Sequence, residues 1–401
     1  METRFTEFMT ADCAIVGGGP AGLMLGYLFA RAGLRVVVIE KHADFLRDFR
    51  GDTIHPSTLE IMHHLGLLES LLRLPHQRAE KLQAEIAGQA ITMADFTRLP
   101  VHCRFIAFMP QWDFLNFLAD QSARFSGFTL LKSTRFIDFI YENGAVCGIT
   151  AERENSQMHI RAQLVVGADG RHSGVREKAG LTGRVFGASR DVVWFKLNKQ
   201  DGDSALGMGH KGPRQNFIVI DRGDYWQCGF TIPKGEFDAL KTAGLNAFRR
   251  QIAAAAPFSE ARLADIADWQ QLKLLSIRID RLDKWAKPGV LCIGDAAHAM
   301  SPIGGVGVNL AIQDAVAAAN YLTTPLLKAQ VRLSDLEKVQ KRRQFPTVAT
   351  QFLQIKMSSN KDKSQKKSNM PAIIRRFPFL RFVFGRLIGL GFRMERPKSV
   401  V

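Results

Sequence analysis

The segment Gly17-Gly18-Gly19-Pro20-Ala21-Gly22 constrains this chain more than any other. It fits GxGxxG and follows a short apolar run, Asp12–Val16. A stretch of helical composition, Pro20–Ala32, and a valine-rich run, Arg35–Ile39, come after it. Strand, glycine turn, helix and strand make a βαβ unit with a parallel pair. Gly17 permits the tight turn, Gly19 lets the backbone approach a pyrophosphate, and Gly22 lets helix and strand pack closely. The helix N-terminus at Pro20 and Ala21 offers free N–H groups and positive potential to an anion. Glu40 ends the second strand 18 residues beyond Gly22, where an acid can accept bonds from ribose hydroxyls. A bare GxGxxG is often only a glycine turn. The context and the acid make this one a dinucleotide site, without separating NAD from FAD.

Two later segments bear on that choice. Leu164–Arg176 reads LVVGADGRHSGVR, an apolar run that breaks at Gly167 into a turn with Asp169 and Gly170. Gly294–Ala315 reads GDAAHAMSPIGGVGVNLAIQDA and holds Asp295, Pro302, Gly304, Gly305, Gly307 and Asn309. An acid at a strand's end can hold ribityl or ribose hydroxyls. A glycine-rich helix start lets backbone N–H groups reach an anionic oxygen or a polarised carbonyl.

With the GxGxxG turn, the "DG" segment and the "GD" segment in this order, residues 10–325 resemble the single-component flavoprotein monooxygenases, the family of para-hydroxybenzoate hydroxylase. The resemblance implies an α/β fold: a Rossmann-like FAD-binding domain with an inserted mixed β-sheet substrate domain and a basic helical tail. The FAD domain is expected over 10–75, 101–180 and 285–325, the substrate domain over 76–100 and 181–284, and the tail over 326–401. It further implies that Gly17, Gly19, Pro20, Ala21 and Gly22 face the FAD pyrophosphate, with Glu40 and Lys41 toward the adenosine ribose. Arg50 and Gln111 would reach the flavin side chain, and Asp295 the ribityl or pyrophosphate region. Gly307, Val308 and Asn309 would line the isoalloxazine ring, and Asp169 would serve FAD and NAD(P)H together. Pro302, Gly304 and Gly305 would form the flavin-side wall of the reaction cavity. In such enzymes NADH or NADPH reduces the flavin, which captures O2 as a C4a-hydroperoxide and hydroxylates an aromatic or lipophilic small molecule. No metal and no covalent nucleophile are required.

Alternatives remain within the same fold: a flavin reductase, a halogenase, or a non-catalytic FAD protein that binds an intermediate. Against halogenation, Tyr225-Trp226-Gln227-Cys228-Gly229-Phe230-Thr231-Ile232-Pro233 lacks the second tryptophan of a WxWxIP segment.

A length of 401 residues suits one large domain with a second module. Alternating runs at Val192–Leu197, Phe217–Asp221 and Tyr225–Ile232 predict strands of the inserted sheet. Val290–Ile293 predicts a buried strand, and helices are predicted over Leu59–Leu72 and from Val308 to Leu322. The first eight residues read as a loose extension and Ser358–Ser368 as a flexible linker. Cys13, Cys103, Cys147, Cys228 and Cys292 show no ligand-like spacing and read as free thiols of a reducing compartment. The N-terminus does not read as a signal peptide, and no window reads as a membrane span. The location expected is cytoplasmic.

The net charge of +16 is uneven: from Lys328 onward 18 Lys/Arg stand against four Asp/Glu, leaving the rest of the chain near neutral. Pro371–Arg396 interleaves arginine with aromatic and aliphatic residues. It reads either as a helical segment packed on its own domain or as a peripheral contact with the inner membrane face. No nucleic-acid motif accompanies the charge. The sequence leaves oligomeric state open.

Several residues tempt a catalytic reading. His298 is read as packing behind the flavin, and His55 and His172 as capping or solvated groups. Trp194, His210, Arg214, Tyr225 and Trp226 are read as cavity lining or plain sheet residues. Ser173 beside His172 makes no triad, because sequence neighbours do not create its geometry.

Overall fold

Glu7–Val16 (β1) is apolar from Cys13 onward, and Cys13, Ala14 and Ile15 are fully buried. A strand covered on both faces reads as a continuous apolar run and belongs in the middle of a parallel sheet. The computed structural model, which describes residues 7–46, 52–86, 89–154, 156–201, 203, 209–211, 217–255, 258, 261–362 and 370–398, places it there. Helix α1 (Pro20–Arg31) crosses from β1 to β2 (Val36–Ile39). Strands β3 (Phe128–Leu131), β4 (Ser156–Gly167) and β5 (Val290–Cys292) complete a parallel array in the order β5-β4-β1-β2-β3. The sheet is mixed: Ala286–Lys287 runs antiparallel to β5, and a hairpin of Thr134–Glu142 and Ala145–Arg153 adds to the first half of β4.

β1 starts earlier than the sequence marks it. Glu7–Thr10 pair with Met158–Arg161, because the long β4 extends its partner into the expected loose extension. The helix expected over Leu59–Leu72 is two helices, Pro56–His64 and Leu68–Leu71, parted where Gly66 takes a φ of 72°.

The inserted sheet has five strands, in the order Gly209–Lys211, Phe217–Asp221, Tyr225–Pro233, Arg190–Asn198 and Lys273–Leu275. Every pairing in it is antiparallel, which refines the mixed sheet expected. Its period of two separates two cores. Val193, Phe195, Leu197, Trp226 and Cys228 pack with Phe248 and Ile252 of the helix Leu245–Ala253. On the other face Val192, Trp194 and Ile220 meet Phe96, Leu99, Ile106 and Phe108. Gln77–Ala79 joins Thr53–Ile54 and Ile106–Phe108 in a small sheet between these two regions.

Helix α2 (Val306–Leu327) lies against α1, and α3 (Leu333–Asp362) lies against α2. Ser358–Asp362 continue α3 where a linker was expected, and 363–368 lie outside the described residues. The polarity of α3 is inverted along one stretch. Arg343, Thr347, Gln351 and Gln354 face inward, while Phe345, Val348 and Phe352 are exposed. Helix α4 (Leu380–Gly389) packs on the strand Gln89–Asp95, where Gly385 sits so close to the Asp95 carbonyl that a Cβ would collide with it.

Candidate active site

The glycine-rich segments meet at one edge. β1, β2, β4 and β5 are parallel, so the turns that follow them all leave the carboxyl end of the sheet, where open α/β folds bind ligands. Backbone bonds stitch the strand ends together: Gly17 N–H to Ile39 O at 2.8 Å, Ala168 N–H to Val16 O at 2.8 Å, and Ile293 N–H to Gly167 O at 2.9 Å.

Each glycine of the first turn meets a different neighbour. Gly17 has a φ of 109°, and a Cβ on it would strike the carbonyl of Ala168. A Cβ on Gly22 would strike the carbonyl of Gly17, so helix and turn touch there. Gly19 is open, with only Ala168 O as far as 4.0 Å from its Cβ position. Glu40 receives the backbone N–H of Gly18 at 2.9 Å and of His42 at 3.1 Å, which folds the β2 end onto the turn. Lys41 is exposed beside it.

Asp169 turns inward on its own loop. Ser173 Oγ–H donates to it at 2.5 Å and Val175 N–H at 3.1 Å, while Ser173 caps the next helix by accepting from Arg176 N–H. Ser173 is therefore a capping residue. Burial raises the Asp169 carboxyl above its ordinary range despite these donors. Asp295 is partly exposed, with Arg171 Nη2 at 3.5 Å.

Pro302, Gly304 and Gly305 lead into α2. Gly304 and Gly305 take φ of 80° and 64°, and Thr53 Oγ1–H donates to Gly305 O at 3.1 Å. No atom lies within 4 Å of a Cβ position on Gly307. Asn309 is buried and its amide faces the protein rather than the groove. Its oxygen accepts from His55 N–H at 2.8 Å and Thr58 Oγ1–H at 2.7 Å, and its nitrogen donates to Thr53 O and Gly305 O. Gly307 and Val308 stay partly exposed at the helix start. Gln111 opens the helix Gln111–Ser122. Arg50 lies outside the described residues, as does Arg214.

These features fit FAD. Two helix N-termini, of α1 and α2, carry no side-chain cap among the described residues, and the glycines nearest them, Gly19 and Gly307, leave open space. Uncapped N–H groups beside such space suit phosphate oxygens and a ring carbonyl.

Behind this edge His298 is buried, its ring 4.9 Å from that of Trp285 and its Nε2 2.5 Å from Asp314. Asp314 also accepts from Gly294 N–H at 3.1 Å and pairs with Arg343, which pairs with Glu395 at 3.1 Å. Burial works against the Asp314 charge, but His298 and Arg343 outweigh it and hold the carboxyl below its ordinary range. His55 is also buried, with Nδ1 2.8 Å from Ile388 O of α4; burial pushes its pKa down to about 4. His172 is exposed.

A cavity of about 160 Å³ lies between the inserted sheet and the residues next to Thr53, lined by Asp52, Trp112, Lys196, Arg222, Tyr225 and Gln227. That volume admits one aromatic ring. Asp52 Oδ2 and Arg222 Nη2 are 2.5 Å apart, both side chains are under a tenth exposed, and Arg222 Nε donates to Gln227 Oε1 at 2.8 Å. Burial raises the Asp52 carboxyl, and the Arg222 guanidinium only partly opposes it. Of the aromatic sheet residues singled out by sequence, Tyr225 lines this cavity, Trp194 packs over Gly229 in the core, and Trp226 faces the opposite core. Asp52 and Arg222 carry no local signal: one follows a glycine, the other sits in a turn. A second cavity, of about 480 Å³, is bordered by Arg171, His172, Arg176, Arg278 and Arg281. Among the described residues no helix is long and apolar enough to cross a membrane.

A family model described as "FAD binding domain" matches residues 10–352. The chain is 31% identical over 383 residues to 6-methylpretetramide 4-monooxygenase of Streptomyces rimosus, covering 94% of this chain and 91% of that one. The solved structure of p-nitrophenol 4-monooxygenase PnpA from Pseudomonas putida DLL-E4 matches with a TM-score of 0.80 at 19% identity, over 96% of this chain and 99% of that one. OxyS anhydrotetracycline hydroxylase from Streptomyces rimosus matches with a TM-score of 0.76 at 20% identity, over 98% and 78%. At such identities these two likenesses are of fold.

Proposed function

Since the chain belongs to the FAD binding domain family, as an FAD-dependent monooxygenase of the para-hydroxybenzoate hydroxylase type, we propose that it hydroxylates an aromatic or polycyclic small molecule and consumes NAD(P)H and O2. The observation that carries this reading is the ring-sized cavity, one residue along the chain from the Thr53–Gly305 contact. Relatives named as a 6-methylpretetramide 4-monooxygenase and an aklavinone 12-hydroxylase support a ring substrate.

FAD, when bound, takes a hydride from NAD(P)H and activates O2 for delivery of one oxygen to the ring. The chain's part is to bind, orient and exclude water. The α1 N-terminus and Gly19 would hold the pyrophosphate, Glu40 and Lys41 the adenosine side, and Asp295 the ribityl region. Gly307 and Val308 would hold the ring edge, with Asn309 keeping their helix start in place and Gln111 near the flavin side chain. Pro302, Gly304 and Gly305 would wall the cavity from the flavin side. For NAD(P)H we assign the arginine-bordered cavity, whose cations suit its phosphates.

The test is oxidation of NADH and NADPH by the purified yellow protein with a panel of phenols, quinolones and polyketides, following oxygen uptake and product mass. A product heavier by one oxygen supports the reading. Reduction, chlorination or ligand binding without turnover would replace it with one of the same-fold alternatives.

A further inference from the structure

We propose that Arg222 is the anchor for an ionised oxygen on the substrate ring, with Asp52 as the counter-charge that Arg222 shares while the cavity is empty. The inference rests on the reading that the ring-sized cavity receives the substrate.

The Arg222 side chain is 5% exposed, yet neither Nη1 nor Nη2 has a hydrogen-bond partner among the described residues, and only Nη2 has an ionic one. A buried cationic donor left unmatched is costly, and an acceptor entering the cavity would relieve it. Its other nitrogens are engaged: Nε with Gln227, and Nη2 in the ion pair with Asp52. The guanidinium is thus fixed by the Nε bond and the Asp52 charge with Nη1 facing no partner of either kind, the arrangement of a fixed recognition group rather than a mobile surface arginine.

Charge around the cavity favours an anion. Among the described residues Lys196 and Arg222 line it with Asp52 as the single carboxylate, and Lys196 Nζ lies 4.3 Å from the Tyr225 ring centroid. The remaining lining, Trp112 and Tyr225, offers flat apolar surface for a ring. A ring hydroxyl binding here passes its proton to Asp52 and stays as the oxyanion beside Arg222, so the net charge of the site is unchanged. The raised Asp52 carboxyl is the proton acceptor such a transfer needs. Because the cavity holds one ring, the oxygen-bearing ring of a larger substrate is the one that enters it.

Benzoate and benzamide test this without knowledge of the substrate, being one ring of near-equal shape with and without an ionised oxygen. Calorimetric titration of the FAD-loaded full chain should show benzoate binding at least about tenfold tighter, a difference of about 1.4 kcal/mol. Arg222→Gln should abolish that preference, and Asp52→Asn, which removes the competing carboxylate, should strengthen benzoate. If Arg222→Gln fails to fold, Arg222→Lys keeps the charge without the fork and should shrink the preference. Equal binding of the two probes, binding of neither, or a preference unchanged in the Arg222 variants overturns the proposal. Turnover is scored separately: benzoate preference without any hydroxylated product would leave the anchor standing and remove the hydroxylase reading.

Discussion

The side-chain oxygen of Asn309 accepts the backbone N–H of His55 at 2.8 Å, joining residues 254 positions apart. With its bonds to Thr53, Thr58 and Gly305, this one amide fastens the 53–58 segment to the start of α2. Asn309→Ala leaves four partners to find water or go without, at roughly 1 kcal/mol each. We expect a melting temperature lowered by several degrees and a purified protein depleted of flavin. An Asn309→Ala protein that melts and retains FAD like the parent would show the clamp to be dispensable.

The glycine turn predicts opposite outcomes at two neighbouring positions. Gly19→Ala has room for its methyl, so the chain should fold and melt normally while, on the proposed placement of the pyrophosphate, holding FAD at least about tenfold more weakly. Gly22→Ala meets the Gly17 carbonyl and should damage folding itself. Melting curves with and without added FAD separate the two. Equal effects at both positions would contradict the division of roles.

His55 makes stability depend on pH. Burial depresses its native pKa to about 4 from the ordinary 6.5, so the folded protein holds it neutral while the unfolded chain takes up a proton on acidification. Its contribution is complete above about pH 6.5, falls as the pH drops toward 4, and levels off below, for a total of about 3 kcal/mol. Urea unfolding at about pH 7 and about pH 5 should show that fall, and His55→Gln should flatten this part of the slope. An unchanged slope in the variant would assign the acid sensitivity elsewhere.

Asp314 balances two buried cationic or protonatable neighbours, His298 and Arg343. Asp314→Ala strands Arg343, and breaking a buried pair from one side costs about 3–5 kcal/mol. Chemical denaturation should report that loss. Protease should then cut the C-terminal region first, because Arg343 also links Glu395 to the body. A loss under about 1 kcal/mol would mean that Glu395 alone suffices for Arg343.

The glycine-rich edge of the sheet was readable because each of its parts is local. Gly17, Gly22 and Glu40 announce turn, packing and strand end within 24 residues, and the periodicity of β1, β2 and α1 frames them. The edge of the α2 segment was equally visible from Gly304, Gly305 and Gly307. What stayed hidden were partnerships across the chain. Asp52 and Arg222 are 170 positions apart and each is ordinary in its own neighbourhood. Asn309 was read as lining the ring, since nothing nearby reveals that Thr53 and His55 claim its amide. The all-antiparallel pairing of the inserted sheet, which refines the expectation, stayed hidden for a related reason: strand direction depends on which runs become neighbours.

The inverted stretch of α3 bears on how far this fold can be exchanged between relatives. Gln351 donates to the carbonyls of Asp280 and Ala299, and Gln354 to those of Ser301 and Ile303, the last immediately before the Gly304–Gly305 pair. The matched family region stops at residue 352, inside that helix. A chimera joined there would keep every glycine of the glycine-rich edge and Gln351 as well, yet lose Gln354, so the carbonyls of Ser301 and Ile303 would depend on a foreign side chain. Crossovers that carry α3 and the segment through Glu395 along with the FAD sheet keep cofactor edge and support matched.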